Sequence, residues 1–249
     1  RGRLIVSAIA LAALGFSGTA SAAGDEPLSS AQKGAVEDIV REYLKNNPEI
    51  LVEAIRALRA KQEVAKRQQA QTALSAHSAA LRNDPASPVG GNLNGDVTIV
   101  EFFDYRCGFC KQVFPAIMTL LGEDPNIRYV FKEFPILGPE SEFASRAAQA
   151  IWFEDRDKDV PFHSALMGIK GNLTEARALK EAEKIGIDTE RLRTSMASPE
   201  VTSALQSNYA LAKALGINGT PAFVIGDELV PGALDIAALK RLIVDARKG

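Results

Sequence analysis

The chain has 249 residues and a mass of 26.7 kDa, 46% hydrophobic and 24% charged, which is enough for one large domain or a domain with an appendage and argues against intrinsic disorder. Its 29 Lys and Arg against 31 Asp and Glu give a net charge of −2, with a pI near 5.9, so it carries no field to hold nucleic acid or an anionic membrane nonspecifically. The two cysteines stand together as Cys107-Gly108-Phe109-Cys110, which rules out a disulfide scaffold and makes their role local.

Residues 1–22 read as a secretory signal peptide: Arg1 and Arg3, an apolar run from Leu4 to Phe16, then small residues ending in Ala20-Ser21-Ala22. Cleavage is expected near Ala22 or Ala23, and the run falls well short of the roughly 20 residues a spanning helix needs. Position 1 is Arg rather than Met, so the true start is expected upstream. Export to the periplasm would place the cysteines in an oxidising compartment, where a dithiol persists only if something, such as a membrane redox partner, keeps it poised.

Residues 23–82 read as an N-terminal helical oligomerisation region and stalk. Val36, Ile39, Val40, Tyr43 and Leu44 lie at helical spacing, Asn46-Asn47-Pro48 interrupts, and a second helix is predicted from Pro48 to Leu81 with Leu51, Ile55 and Leu58 on one stripe. That stripe turns polar between Lys61 and Thr72, so this stretch is read as the stalk. Farther along, His77 is expected on the helix surface. The turn formers and prolines of Asn83 to Asn92 read as a linker or domain entry.

Residues 83–249 carry a different pattern. Val97 to Phe103 is a β-branched and aromatic strand running into the cysteine pair, Lys111 to Leu121 is helical, and Ile127 to Phe134 is a second strand. A helical stretch, about 139–216, follows, in which Ala144 to Trp152 is expected to be core and His163 a satisfied helix residue. Two short strands surround the Gly226-Asp227 turn, and Asp235 to Lys248 closes as a helix. The fold class is α/β, in the order β-α-β, helical insertion, β-β-α.

A Cys-x-x-Cys pair can be half of a zinc site, a structural disulfide or a redox pair. Structural zinc needs four ligands, and besides the cysteines the chain offers only His77 and His163, far apart in sequence. A structural disulfide across so short a loop would remove little unfolded-state entropy. The redox reading places Cys107 at a strand-to-helix junction, where unpaired N–H groups and the positive helix end lower a thiol pKa, and makes it the attacking nucleophile. Cys110, one turn inside, would resolve the mixed disulfide. Pro115 in the same helix is expected to kink it.

Cys-x-x-Cys-Lys with Pro eight residues after the first cysteine resembles the thioredoxin superfamily, and Glu101-Phe-Phe-Asp-Tyr-Arg-Cys107 with the late helical insertion resembles its DsbA-like branch. Asn46-Asn-Pro-Glu-Ile-Leu51 is similar to the suppressor-of-copper-sensitivity protein C group of exported disulfide oxidoreductases and isomerases. The resemblance implies a thioredoxin fold with a helical insertion, and a cis-proline loop at Thr220-Pro221 opposite the cysteines. Gly108, Phe109, Thr220 and Pro221 are then the expected substrate contacts, the Thr220 backbone being free to pair with an extended substrate segment. Glu101 shares a strand face with Val97, Ile99 and Phe103, so a raised pKa is expected; it is the candidate proton relay for Cys110, with Lys132 on the next strand as its candidate partner.

Two functions follow. The first is a periplasmic thiol-disulfide enzyme, isomerase or reductase, acting on cysteine-containing exported proteins, with no cofactor beyond a redox-active Cys107-Cys110 disulfide; a monomeric dithiol oxidase is the variant reading. The second is a Cu(I)-binding protein using the same two thiolates, against which stand only 3 Met and 2 His. The apolar stripe of residues 25–60 is too short to make a core, so a homo-oligomer is expected, a trimer because the resembling group includes trimeric isomerases.

Overall fold

The computed structural model describes residues 28–248, so the signal-peptide reading of residues 1–22 lies outside the described residues. Two compact units divide the chain, one ending at Ala60 and the other beginning at Lys61. Helix α1 (Ser30–Asn46) opens with a reciprocal cap: Ser29 accepts from the Gln32 N–H while the Gln32 side chain accepts from the Ser29 N–H. Helix α2 (Glu49–Ala76) follows after Pro48. No residue of α1 is buried, and Ile39, Tyr43, Leu51, Ile55 and Leu58 are each about half exposed or more.

Three features of the sequence reading are revised here. The predicted Pro48–Leu81 helix breaks at His77, which is half-buried and caps the short helix α3 (Ser78–Arg82). The boundary between units falls before the polar stretch Lys61–Thr72 and not at residue 82, because Leu74 and Leu81 are buried in the core of the second unit. Of the two readings of Asn83–Asn92, linker or domain entry, the structure fits the domain entry. The segment contains strand β1 (Val89–Gly91), and its Asp84, Pro85, Ala86 and Ser87 all make hydrogen bonds into the fold.

Strand β2 (Val97–Phe103), helix α4 (Gly108–Glu123) and strand β3 (Ile127–Glu133) follow. The insertion consists of α5 (Pro139–Glu154), a short 3-10 turn, α6 (Asp159–Gly168), α7 (Glu175–Lys184), α8 (Thr189–Met196) and α9 (Pro199–Ala214). Strands β4 (Ala222–Ile225) and β5 (Glu228–Pro231) and helix α10 (Ile236–Ala246) complete the chain. The sheet order is β1-β3-β2-β4-β5, with β2 parallel to β3 and the other pairs antiparallel. The β4–β5 turn needs Gly226, at φ 56° with no room for a Cβ, which would meet Ala246 at 2.9 Å.

Alternation along β2 explains why both faces of this strand are mostly apolar: each packs against a core layer. Ile99 and Phe103 belong to the core layer shared with α4, α5, α6 and α10, whereas Val100 and Phe102 belong to the opposite layer with Leu74, Leu81, Leu211 and Leu215. Ala144 to Trp152 packs as expected, with Ala147, Ala148, Ala150 and Ile151 buried. Helix α4 continues through Pro115.

Candidate active site

The end of β2 delivers Cys107 to the N-cap of α4, where its sulfur accepts from the Cys110 N–H at 3.4 Å. Chain path alone explains the position: β2 ends at Phe103, and the Asp104 carboxylate clamps the turn that follows. It accepts from the N–H groups of Arg106, Ile136 and Leu137 and from Ser141 Oγ at 2.7 to 3.0 Å, and it is fully buried. Arg106 then ties the turn outward, to the Leu137 carbonyl and the Glu140 carboxylate.

Both thiols are free in the structure, and both are buried, Cys107 at 5% exposure and Cys110 at 1%. Their chemistry is opposite. The Cys110 thiol donates to the Cys107 sulfur, the Thr220 side chain and the backbone N–H groups of Cys110 and Phe109 add to it, and together they outweigh burial and hold Cys107 down at about 6. Cys110 is pushed far above an ordinary thiol by that same donation, by burial and by nearby Glu101. Alkylation of the reduced protein should therefore stop at Cys107, with a rate half-maximal near pH 6 and falling about tenfold per unit below it. Mass mapping that finds the two cysteines modified at equal rates would contradict the assignment.

Phe109, at 63% exposure, and Gly108 stand at the surface beside the buried pair, in place to meet a substrate. Across from them the Thr220-Pro221 bond is cis, as the resemblance implies, and the Thr220 carbonyl accepts from Cys107 Sγ at 3.2 Å. That contact belongs to the thiol form of Cys107. The Thr220 carbonyl is engaged while Cys107 is a thiol, and ionisation of Cys107 removes the donor.

Glu101 is buried at 2% exposure on the same face as the cysteines, and burial raises its pKa to about 8 against the opposing hydrogen bond from Tyr129. Lys132 is not its partner. In β3, Lys132 alternates to the opposite face from Tyr129 and Phe131, and its ammonium is bound by Asp84 at 2.8 Å and Ser87 at 2.6 Å. It is therefore a structural ion pair that fastens the 84–87 loop, remote from the proton path. His163 lies in the core, as a helix residue of α6, but only one of its nitrogens is satisfied: Nδ1 is 3.1 Å from Tyr105 Oη and Nε2 has no partner among the described residues. Burial lowers it to about 3, so it is neutral. Among the described residues no three His, Cys, Asp or Glu side chains gather as a metal site.

Residues 98–244 match the family described as DSBA-like thioredoxin domain, and residues 32–65 match the copper resistance protein ScsC N-terminal domain. The chain belongs to the DsbA-like thioredoxin family. Among solved structures it is similar to a thioredoxin-like oxidoreductase from Silicibacter pomeroyi DSS-3, at 46% identity over 69% of this chain and 98% of that one, with a TM-score of 0.66. It is likewise similar to Proteus mirabilis ScsC in a transitional conformation, at 35% identity over 89% and 99% of the two chains, with a TM-score of 0.68. Disulfide bond formation protein D of Bacillus subtilis is 26% identical, over 65% of this chain and 78% of that protein. The chain spans about a quarter of the length of the Na(+)/H(+) antiporters of Salinispora that it also matches. This DsbA-like family is one of thiol-disulfide oxidoreductases, and the fold is its thioredoxin core with a helical insertion and a helical N-terminal segment. Among the described residues no helix is long and apolar enough to cross a membrane.

Proposed function

We propose that the protein is a periplasmic thiol-disulfide oxidoreductase acting on cysteine-containing exported proteins, with isomerisation as its main direction and a membrane redox partner holding the pair reduced. One observation carries the chemistry: a low-pKa sulfur at a helix N-cap, opposite a thiol whose pKa is pushed strongly up. The Cys107 thiolate attacks a substrate disulfide; the Cys107–substrate bond forms, the substrate S–S bond breaks, and one substrate sulfur leaves as thiolate. Either that thiolate attacks another substrate disulfide and isomerisation proceeds, or Cys110 attacks Cys107. In the second case its proton passes to Glu101, the Cys107-Cys110 disulfide forms, and the reduced substrate departs. Exposed Gly108 and Phe109, with Thr220 and Pro221 opposite, would hold the substrate segment. Cu(I) capture by the same pair is the weaker reading, since it requires a thiolate at Cys110, which burial and Glu101 oppose.

Support for isomerisation comes from the first unit. Its Ile39, Tyr43, Leu51, Ile55 and Leu58 are large apolar side chains left open to solvent, which suits self-association into a homo-oligomer, in our reading a trimer, raising the local concentration of active sites on one substrate. Refolding of a scrambled multi-disulfide protein in glutathione buffer tests this. The intact chain should outperform an Ile39→Lys/Ile55→Lys variant by about tenfold or more in isomerisation, with dithiol oxidation unchanged. A monomer by light scattering for the intact chain would sink both the assembly and the isomerase direction.

A further inference from the structure

Glu101 lies mid-strand in β2, and the groups facing it come from every neighbouring element. Strand β4 presents Phe223, its register partner, and is apolar there. The first turn of α4 and its cap present Cys110 and Cys107, both of which feel the Glu101 charge, as does Tyr105 from the turn that follows β2. Strand β3 presents Tyr129, two residues before Phe131, the register partner of Glu101. Tyr129 is fully buried, and its hydroxyl donates to Glu101 Oε2 at 2.6 Å. The other oxygen, Oε1, is buried without a partner among the described residues.

We propose that Tyr129 is the positioning residue of the proton relay: by donating to Oε2 it holds the carboxyl and directs the exchangeable proton onto Oε1, the oxygen left for Cys110. This inference rests on the relay reading of Glu101 given above. A phenol donates more strongly to the carbonyl oxygen of a carboxyl group than to its hydroxyl oxygen, so the Tyr129 contact favours the form of protonated Glu101 that carries the proton on Oε1. When Cys110 attacks the Cys107 mixed disulfide, its S–H proton passes to Oε1 by way of a bridging water, because Oε1 has no direct hydrogen-bond partner, Cys110 included, among the described residues. The new Cys107–Cys110 bond takes the sulfur electron pair, and the substrate sulfur leaves with the pair from the broken bond. In reverse, Oε1–H returns the proton to Cys110 as the disulfide opens. Tyr129 stays protonated throughout, since burial and the adjacent Glu101 hold its pKa well above that of a free phenol. Its donation also stabilises the carboxylate form, opposing burial.

The test isolates the resolving step. Reduced protein mixed with excess aromatic disulfide releases one coloured aryl thiolate as Cys107 attacks and a second as Cys110 resolves. The leaving aryl thiolate needs no proton, so the second phase reports proton loss from Cys110. In the wild-type protein its rate should rise with pH through a midpoint near 8, the Glu101 value. In Tyr129→Phe, loss of a charge-assisted hydrogen bond should move that midpoint upward by about one to two pH units, leaving the first phase and its midpoint near 6 in place. In Glu101→Gln the midpoint should vanish, and the double variant should match Glu101→Gln alone. A Tyr129→Phe midpoint that stays put or moves down, while Glu101→Gln abolishes it, overturns the Tyr129 role and leaves the relay standing. A midpoint retained in Glu101→Gln overturns the relay itself. Should Tyr129→Phe not fold, site-specific fluorination of Tyr129, which strengthens the donor at nearly unchanged shape, must lower the midpoint; no shift overturns the proposal.

Discussion

Replacement of Cys110 by Ala should abolish multiple-turnover exchange while the protein accumulates as mixed disulfides through Cys107. The asymmetry of the pair dictates this outcome. Cys107 keeps its place at the N-cap of α4 and the N–H groups of Phe109 and residue 110, so it still attacks, although loss of the Cys110 donor raises its pKa from about 6 toward the ordinary range. Slower attack and absent resolution together convert a catalyst into a trap. Non-reducing electrophoresis of cells expressing Cys110→Ala should show adducts that a reductant dissolves, and Cys107→Ala should show none. Trapping that persists in Cys107→Ala, or turnover that survives in Cys110→Ala, would remove the assignment of nucleophile and resolver.

The second large effect is on stability. The Lys132 side chain is 1% exposed and held by Asp84, itself 22% exposed, and by Ser87. Asp84→Ala leaves a buried ammonium with one hydroxyl partner, and breaking a buried pair from one side costs about 3–5 kcal/mol. Lys132→Met should cost less, since the thioether fills the stem's volume and the freed carboxylate reaches water. The pH dependence has a definite sign. In the folded protein Lys132, together with Ser87 and the Ala86 N–H, holds Asp84 below its ordinary value against burial, so the carboxylate's contribution is present above about 3.8 and is lost as pH falls through the lower folded value. Burial lowers the Lys132 pKa, so in Asp84→Ala the defect should shrink as pH rises and the amine sheds its proton. Urea unfolding at acidic, neutral and alkaline pH measures both; an Asp84→Ala loss below about 1 kcal/mol at neutral pH would show that the pair is solvent-screened.

Strand parity separates what was legible in the sequence from what was not. The β2 and β3 runs, the cysteine junction, the last hairpin and the insertion are written in local pattern, and a period of two suffices to place Glu101 on the cysteine face. The same rule applied across β3 separates Tyr129 and Phe131 from Lys132, but only once the β2–β3 register is known, pairing Glu101 with Phe131. Choosing a lysine for a carboxylate by charge alone ignored that register. Asp104 and Glu133 were missed for a related reason. Asp104 looks like a turn residue, and its four donors come from residues 106 to 141; Glu133 is recognised by Tyr105 and Ser145 only after α5 has packed. The 83–92 segment was left between linker and domain entry because Pro and Gly signal turns without telling a tether from a loop that is itself hydrogen-bonded into the fold.

The insertion leaves the sheet after β3 and returns at β4, the two strands that flank β2, and both crossings occur at the end of β2 that bears the cysteines. Its two attachment points are thus held by the sheet about 10 Å apart, two strand spacings, whatever lies between them. The helices α5 to α9 are in this sense an exchangeable cassette, one whose length and surface can change without disturbing the spacing of Cys107 and Thr220. The freedom has a short list of exceptions, the side chains and carbonyls through which the cassette reaches inward. Ser141 bonds Asp104, Ser145 bonds Glu133, His163 meets Tyr105, and the Ile169 carbonyl receives the Lys111 ammonium from the active-site helix. Asn208 donates to the Glu133 carbonyl, and Gln149 and Trp152 donate to the Ala86 and Pro85 carbonyls. A graft that kept these anchors could carry a foreign binding surface on an unaltered redox centre.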